Sequence, residues 1–188
     1  MILGLVFLLC VATVPLARGR LTALADLQLR RPWLAIAGIG TQILIISVLP
    51  GGTAGLHEAV HMASYVMLGA FAWSNRRIPG VPLIMAGGLA NFIAIAANGG
   101  VMPADPDLAL HVAREAGEGF VNSGAVQNPH LLFLGDIFAT PSSWPLYNVY
   151  SVGDLLIVLG VLVLLHGVCR SRLVPRRWRR RRPVVAGA

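Results

Sequence analysis

The clearest structural signal in this chain is the apolar run VGDLLIVLGVLVLLHGV, residues 152–168, followed at once by CRSRLVPRRWRRRR, residues 169–182. An apolar run of this length lies at the lower end of what a helix needs to cross the ~30 Å hydrocarbon core of a bilayer. Arginines directly after such a run are typical of a helix that ends at a cytoplasmic membrane face. The stretch therefore predicts a transmembrane helix.

The composition of the whole chain agrees with this prediction. Of 188 residues, 56% are hydrophobic and only 12% are charged, and the mean hydropathy is +0.72. Soluble domains carry roughly a quarter charged residues, and a bilayer can hide apolar surface that a globule of this length cannot. We therefore expect an all-α integral membrane bundle of about five transmembrane helices. The predicted spans are residues 1–17, 33–49, 56–74, 81–97 and 152–168.

The placement of arginine predicts the orientation of these helices. The chain has no lysine, and fourteen of its fifteen basic residues fall in the segments 18–32, 75–80 and 169–188. Positive charge accumulates in cytoplasmic segments, so the N-terminus is expected outside and the C-terminus inside. The polar segment 98–151 is then extracytoplasmic. We expect a multi-pass plasma-membrane protein with a membrane domain, 1–168, and a cytoplasmic arginine-rich tail, 169–188.

The tail has two interpretations. A basic run containing Trp178 could contact nucleic acid, but beside a span it more economically binds anionic lipid headgroups, at about 1 kcal/mol per basic residue. We favour the lipid interpretation and expect no nucleic-acid partner. Cys10 and Cys169 show neither metal-binding spacing nor the pattern of a disulfide framework, and they receive no role.

The pattern H-E-x-x-H occurs once, at His57-Glu58-Ala59-Val60-His61. Positions i and i+4 share a helix face, so the two imidazoles could hold zinc while Glu58 activates water. A third ligand would be needed, and Asp136 or Asp154 is expected on the same side of the membrane. Histidine and glutamate are also inexpensive at a solvated helix end, and a short pattern with two free positions is common. Zinc is therefore the less favoured interpretation.

Two Gly-Asp pairs, ending at Asp136 and Asp154, are predicted near the outer membrane face. Two carboxylates at one depth could share a proton and activate water, as in aspartyl hydrolases. The alternative is helix capping, because Ser151 is a good N-cap and Asp154 in the first turn suits the helix dipole.

A third polar block runs from Asn91 to Asn98-Gly99-Gly100-Val101-Met102-Pro103. An asparagine within a span is expected to find a partner across a helix interface. Two glycines followed by proline predict a tight exit from the membrane, where backbone N–H groups could face a ligand. The candidate ligand-binding residues are Asn91, Asn98, Gly99, Gly100, Met102 and Pro103.

Taken in order, these blocks resemble a bacterial family of small polytopic membrane proteins of unknown function. The resemblance is carried by Asn98-Gly-Gly-Val-Met-Pro103, Phe133-Leu-Gly-Asp-Ile137 and Ser151-Val-Gly-Asp-Leu-Leu-Ile157, with Asn75-Arg-Arg-Ile-Pro-Gly80 before them. It covers about residues 1–168 and implies a shared five-helix fold with the blocks gathered near the outer face. It implies no activity.

A second, local resemblance concerns the start of the last predicted span. Tyr147-Asn148-Val149 and Gly153-Asp154-Leu-Leu-Ile157, with Gly160, are similar to the last motif of lipoprotein signal peptidases. That resemblance implies a catalytic pair of Asp154 and Asp136. The chain departs from that family in a longer Asn-to-Asp spacing, in having no arginine after Asp136, and in its five predicted spans.

Three functions remain open from the sequence. The favoured one is a non-enzymatic membrane protein that binds a protein partner or a small ligand through segment 98–151. The second is a membrane hydrolase that uses Asp136 and Asp154. The third is a zinc-dependent membrane hydrolase that uses His57, Glu58 and His61. The sequence leaves open whether the protein is an enzyme.

Overall fold

The protein is mostly helical. The computed structural model describes residues 2–44, 54–105, 107–108, 123–124, 128–141 and 148–175. Two short 3-10 turns, Leu21–Leu24 and Leu132–Leu134, lie between the helices. The described residues form five α-helices, which agrees with the predicted number of helices. They are α1 (Ile2–Leu16), α2 (Pro32–Ile43), α3 (Ala54–Ser74), α4 (Val81–Ala97) and α5 (Val152–Val168).

Proline and glycine set several of the helix ends. Proline lies in the first turn of α2 and of α4, where its missing N–H would have no helical partner in any case. The turn directly after α4 contains Gly99 and Gly100, which have φ values of 68° and 95°. The Gly100 N–H donates to the Ile95 carbonyl oxygen at 2.9 Å, which satisfies a helix-end carbonyl as left-handed C-terminal caps do.

The helices pack in the order α1, α5, α4, α3, α2. Along the α4–α5 interface Gly80 lies beside Gly160 and Gly87 lies beside Gly153, so the two helices run antiparallel. At Gly80 and at Gly87 an added Cβ would collide with the backbone of α5. The two helix backbones are therefore in direct contact.

The segment 98–151 differs from the all-α prediction, which is wrong here. Strand β1 (Met102–Pro103) pairs in parallel with β2 (Ser123–Gly124), and β3 (Asp136–Ala139) pairs antiparallel with β4 (Val149–Ser151). Backbone polar groups outside helices need other partners, and strand pairing supplies them. Strands of two to four residues are too short to show the alternation by which a strand is recognised in sequence.

Polar side chains lie inside the bundle, whereas large apolar ones cover its outer faces. His61, Ser64, Asn91, Ser151 and His166 are buried. The exposed large apolar side chains are Leu5, Phe7, Leu8, Leu9 and Leu16 on α1, Trp33, Ile36, Ile39 and Ile43 on α2, Val66 and Trp73 on α3, Leu89 and Ile93 on α4, and Leu155 and Leu159 on α5.

Within the described part of the chain, none of the helices has both the length and the apolar character that crossing a membrane requires. The expectation that these helices are membrane spans therefore stays a prediction. The end of the predicted span 33–49 and the tail beyond residue 175 lie outside the described residues.

Basic residues gather at one end of the bundle, which we call the arginine end. There the Arg20 N–H donates to the Cys169 carbonyl oxygen at 2.9 Å. The Asn75 side chain accepts from the Arg30 N–H at 2.8 Å and donates to the Arg30 carbonyl oxygen at 2.9 Å. The described parts of the segment 98–151 lie at the opposite end, where α4 ends and α5 begins. The described arginines at the arginine end are Arg18, Arg20, Arg30, Arg31, Arg76, Arg77, Arg170 and Arg172.

Candidate functional site

The three sequence blocks around residues 98–103, 133–137 and 151–157 meet where α4 ends and α5 begins. Asp136 in β3 lies opposite Ser151 in β4. The Asp105 N–H donates to the Asp136 carbonyl oxygen at 3.1 Å, directly after the first block. Main-chain pairing thus joins segments that are far apart in sequence.

Three side chains form a hydrogen-bonded cluster, the polar junction, made of the buried Asn91 and Ser151 and the half-buried Asp154. The Asn91 Nδ2 donates to Asp154 Oδ1 at 2.9 Å, and the Ser151 Oγ lies 2.9 Å from Asn91 Oδ1. The junction therefore links α4 to the first turn of α5. It supplies the cross-helix partner that the sequence predicts for Asn91.

The Asp154 carboxylate is engaged at both oxygens. Besides the contact from Asn91, its Oδ2 accepts from the Ser151 N–H at 2.9 Å and lies 3.0 Å from Ser151 Oγ. The Asp154 N–H donates back to Ser151 Oγ at 3.1 Å, which completes a capping box at the start of α5. This geometry favours the capping interpretation of Asp154.

Gly153 is required by the polar junction. A Cβ built on Gly153 would overlap Asn91 Oδ1 and would lie 2.7 Å from the Gly87 carbonyl oxygen. Any side chain at this position would push the Asn91 amide out of reach of its partners. The Gly-Asp pair at 153–154 therefore has a packing reason, which the sequence pattern does not reveal.

The second predicted carboxylate, Asp136, is buried beside the junction in β3. Tyr65 on α3 lies within electrostatic range of both Asp136 and Asp154. Its ring packs edge-on against His61, with centroids 5.2 Å apart, and tilts against Phe92 at 5.9 Å. The structure thus brings both predicted carboxylates into the neighbourhood of one phenol, which the sequence did not single out.

The residues of the first block hold the 98–151 segment in place. The Asn98 side chain accepts from the His130 N–H and donates to the His130 carbonyl oxygen, both at 2.8 Å. Met102 is buried with Ala94 and Ile95 in a small apolar cluster, and Pro103 is fully buried. Gly99 and Gly100 form the left-handed turn after α4. These contacts favour a structural role for the block.

The H-E-x-x-H pattern lies on α3, near the same end of the bundle. The His57 and Glu58 side chains fall outside the described residues, whereas His61 is only 1% exposed and contacts Tyr65. Among the side chains that the structure describes, no group of three or more histidines, cysteines or carboxylates could hold a metal ion. Of the three residues in the zinc prediction, His61 is the one whose side chain the structure describes.

Sequence reasoning missed a set of exposed apolar side chains on the 98–151 segment, Leu131, Phe133 and Phe138, which together with Tyr150 we call the aromatic surface. Phe133 is 63% exposed, and Leu131 and Phe138 are exposed as well. The Phe138 and Tyr150 rings stack with centroids 5.6 Å apart across β3 and β4. Only the strand register brings these rings together, so a linear pattern carries no signal for this pair.

Comparison with known proteins identifies the family. A family described as "Family of unknown function (DUF5317)" matches residues 26–166, about three-quarters of the chain. The chain belongs to this family. The DUF5317 match includes the whole polar junction and Asp136, and it confirms the resemblance to a family without an assigned activity.

One relative extends the comparison. The chain is similar to an uncharacterised protein of Thermotoga maritima, with 33% identity over 101 residues. The aligned part is 53% of this chain and 58% of the relative, so the chain spans less than two-thirds of the relative's length. No solved structure matches this DUF5317 chain.

Proposed function

We propose that this protein is a multi-pass membrane protein whose 98–151 segment binds a protein partner or a small ligand at its aromatic surface. The binding proposal rests on one observation. Hydrogen bonds hold the 98–151 segment against α4 and α5, while large apolar side chains of the same segment are exposed. The polar junction and the Asn98–His130 contacts hold the segment, while Leu131, Phe133 and Phe138 remain exposed. Exposed apolar groups on a fixed base are typical of interaction sites.

The distribution of polarity supports the membrane part of the proposal. Leu16 is 83% exposed and Ile36 is 73% exposed, while polar side chains such as Asn91 and His166 are buried. In water an exposed apolar surface on all five helices would favour aggregation. In a bilayer the same surface faces lipid, and buried polar groups bond across helix interfaces.

Helix length is compatible with a slightly thinned bilayer. The helices α4 and α5 have 17 residues each, and such a helix rises about 26 Å. A hydrocarbon core of ~30 Å exceeds this by a few ångströms, and bilayers thin around short helices at modest cost. The arginine end and the polar junction would then lie at the two interfaces.

The orientation can be tested by thiol labelling in whole cells. In a Cys10→Ala, Cys169→Ala background, Asp107→Cys places a thiol in the 98–151 segment and Arg172→Cys places one at the arginine end. Both positions are exposed. We expect a membrane-impermeant maleimide to label position 107 in intact cells and position 172 only after permeabilisation. Labelling of position 172 in intact cells would reverse the orientation, and recovery outside the membrane fraction would contradict the membrane proposal.

The binding proposal can be tested by photocrosslinking. A benzophenone amino acid at position 133 would replace an exposed aromatic residue on the segment, and the same group at Trp73, which is 60% exposed, serves as the matched control. We expect a discrete adduct from position 133 that is absent from position 73. Adducts to lipid alone at both positions would contradict the proposal.

A hydrolase using Asp136 and Asp154 is the second candidate, favoured by the pairing of Asp136 with Ser151, whose hydroxyl lies 3.0 Å from Asp154 Oδ2. The test expresses the Asp136→Asn and Asp154→Asn variants separately in a deletion strain and measures whether each variant restores the phenotype that the deletion removes. An asparagine at 154 can keep the junction because the Asn91 amide can turn over to offer its oxygen. Loss of function in both folded variants would support the hydrolase, and normal function in both would exclude it.

A zinc-dependent hydrolase would use His57, Glu58 and His61. The zinc content of the purified protein tests this function. Purified wild-type protein would hold zinc near one ion per chain, and His61→Ala would lose it. Wild-type protein without zinc, prepared without chelators, would exclude this function.

A further inference from the structure

The arginine end contains a cavity that the proposed function does not use. Its volume is about 590 Å³, within the range of small-molecule sites. It lies between the residues that follow α1, the turn that joins α3 to α4, and the last turn of α5. It is therefore separated from the 98–151 segment by the length of α4.

The cavity has basic walls. Arg20, Arg76, Arg77 and Arg170 line it, and Asp26 is its one acidic lining residue, so the lining carries four positive charges against one negative. Within the described part of the chain, none of these four guanidinium groups forms an ion pair. Like charges grouped without a counter-ion raise the energy of the folded state, and an anion among them would lower it.

The cavity also has apolar walls. The lining includes Leu83 on α4, Val163 and Val168 on α5, and also Leu27 and Ile78. A site for a free inorganic anion needs no apolar surface. The combination of guanidinium groups with aliphatic side chains matches a molecule that carries both a phosphate and a hydrocarbon chain.

Several contacts fix the frame of the cavity. The Arg76 guanidinium stacks over the Trp73 ring at 4.4 Å and donates to the Trp73 carbonyl oxygen at 2.8 Å. The backbone of Arg20 is bonded to Cys169 at 2.9 Å. Gly80, at φ 87°, rests directly on Gly160. These contacts hold the Arg76 guanidinium and the backbone from which the Arg20 side chain extends, and a guanidinium that is already held loses little conformational entropy when it binds a phosphate.

We propose that this cavity, the arginine pocket, binds the phosphate of an anionic amphiphile and holds part of its hydrocarbon chain against Leu83 and Val163. From the predicted tail, 169–188, the pocket lining includes Cys169 and Arg170, and the pocket is separate from the aromatic surface of the 98–151 segment. Arginine suits this task because its planar fork binds phosphate oxygens in pairs.

The test is a titration of purified full-length protein in an uncharged detergent, with the shift in Tm as the readout. The probes are dioctanoyl phosphatidylglycerol, dioctanoyl phosphatidylcholine, glycerol 1-phosphate and inorganic phosphate. We expect a saturable rise in Tm with phosphatidylglycerol and no rise with the other three at equal concentration. An equal rise with phosphatidylcholine would overturn the role of charge, and an equal rise with either soluble phosphate would overturn the role of the chain.

Variants locate the site. The Arg77→Gln, Arg170→Asn double variant removes two guanidinium groups, and asparagine tolerates the left-handed backbone at 170, where φ is 55°. We expect its half-saturating phosphatidylglycerol concentration to rise about tenfold or more. Arg18→Asn, Arg172→Gln removes two charges from the same end but outside the pocket lining, with asparagine again at a left-handed position, where φ is 56°. This control should change the concentration by less than about twofold. Equal effects of the two double variants would mean general surface attraction and would overturn the pocket.

Leu83→Trp keeps every charge and fills the apolar part of the cavity. We expect it to weaken phosphatidylglycerol binding about as much as the loss of the arginines does. An unchanged titration curve for this variant, with a normal Tm in the absence of lipid, would place the hydrocarbon chain elsewhere and would contradict the proposal.

Discussion

At the scale of single residues, several polar side chains buried among the helices are hydrogen-bonded, among them Asn91, Ser151 and His166. Ser151 shows this most clearly, because its hydroxyl accepts from the Asp154 N–H and has the Asn91 and Asp154 side-chain oxygens as acceptors for its one proton. A buried group that loses its partner costs about 1–3 kcal/mol. The junction therefore stabilises the contact between α4 and α5.

The contribution of Asn91 to this junction can be measured directly. Asn91→Ala removes the donor to Asp154 and the acceptor near Ser151, so we expect a loss of about 1–3 kcal/mol in the free energy of unfolding. The control is Ile93→Ala, on the same helix but exposed. Reversible unfolding in mixed micelles measures both. Equal losses for the two variants would contradict a special role for Asn91.

His166 at the arginine end offers a second prediction at this scale. The Thr13 hydroxyl donates its one proton to the Cys10 carbonyl oxygen at 2.6 Å, so at 3.0 Å from His166 Nε2 it can only accept. Neutral His166 must then carry its proton on Nε2 and accept from Ser171 Oγ at Nδ1, 2.7 Å away. We expect ¹⁵N chemical shifts of the Nε2–H tautomer. Shifts of the Nδ1–H tautomer would refute this assignment.

At the scale of elements, close packing of α4 on α5 depends on glycines at matching positions. Gly87 meets the backbone of Gly153 and the Ile157 side chain, whereas the neighbouring Gly88 has nothing within 4 Å of its missing Cβ. The packing of α4 on α5 therefore requires glycine at position 87 but leaves space for a side chain at position 88. Small residues at helix interfaces allow such direct backbone contact.

These two glycines give a matched pair of variants. Gly87→Ala should lower the free energy of unfolding by about 1–3 kcal/mol, because the added methyl group separates the helices. Gly88→Ala should be neutral or stabilising by up to about 1 kcal/mol, because alanine favours the helix. Unfolding of both variants under one condition provides the comparison. A similar change in the free energy of unfolding for both variants would show that the α4–α5 interface can accommodate an added methyl group.

At the scale of the whole molecule, α1 packs on α5 although the two lie at opposite ends of the described chain. Cys10 and Val14 from α1 form one buried cluster with Leu165 and Cys169. Burial also raises the pKa of the Cys169 thiol above its usual value. Both effects make Cys169 a poor nucleophile, because the thiolate is the reactive form.

Thiol reactivity therefore reports on the packing of α1. In folded protein near neutral pH, we expect iodoacetamide to modify Cys10 and Cys169 at least about tenfold more slowly than in denatured protein. An Asp107→Cys thiol in the same molecule is the control and should react at the rate of a free thiol. Rapid modification of Cys169 in the folded protein would mean that α1 leaves α5 readily.

The helices and the basic end could be predicted from the sequence alone, because apolar runs, glycine and proline breaks and arginine clusters are local properties of the chain. The sequence also offered both interpretations of Asp154, capping and catalysis, without deciding between them. It gave no sign of the strands, since pairs such as Asp136 with Ser151 join distant segments and depend on register.

Only the tertiary structure decided which polar groups meet. Asn91 reaches Asp154 because α4 and α5 run antiparallel on a glycine interface, and that approach sets which turn of one helix faces which turn of the other. The arginine pocket likewise arises from three segments that only folding brings together. Local patterns determine where a chain bends and which parts are apolar. The distance between two side chains from separate segments depends on the packing of every helix between them.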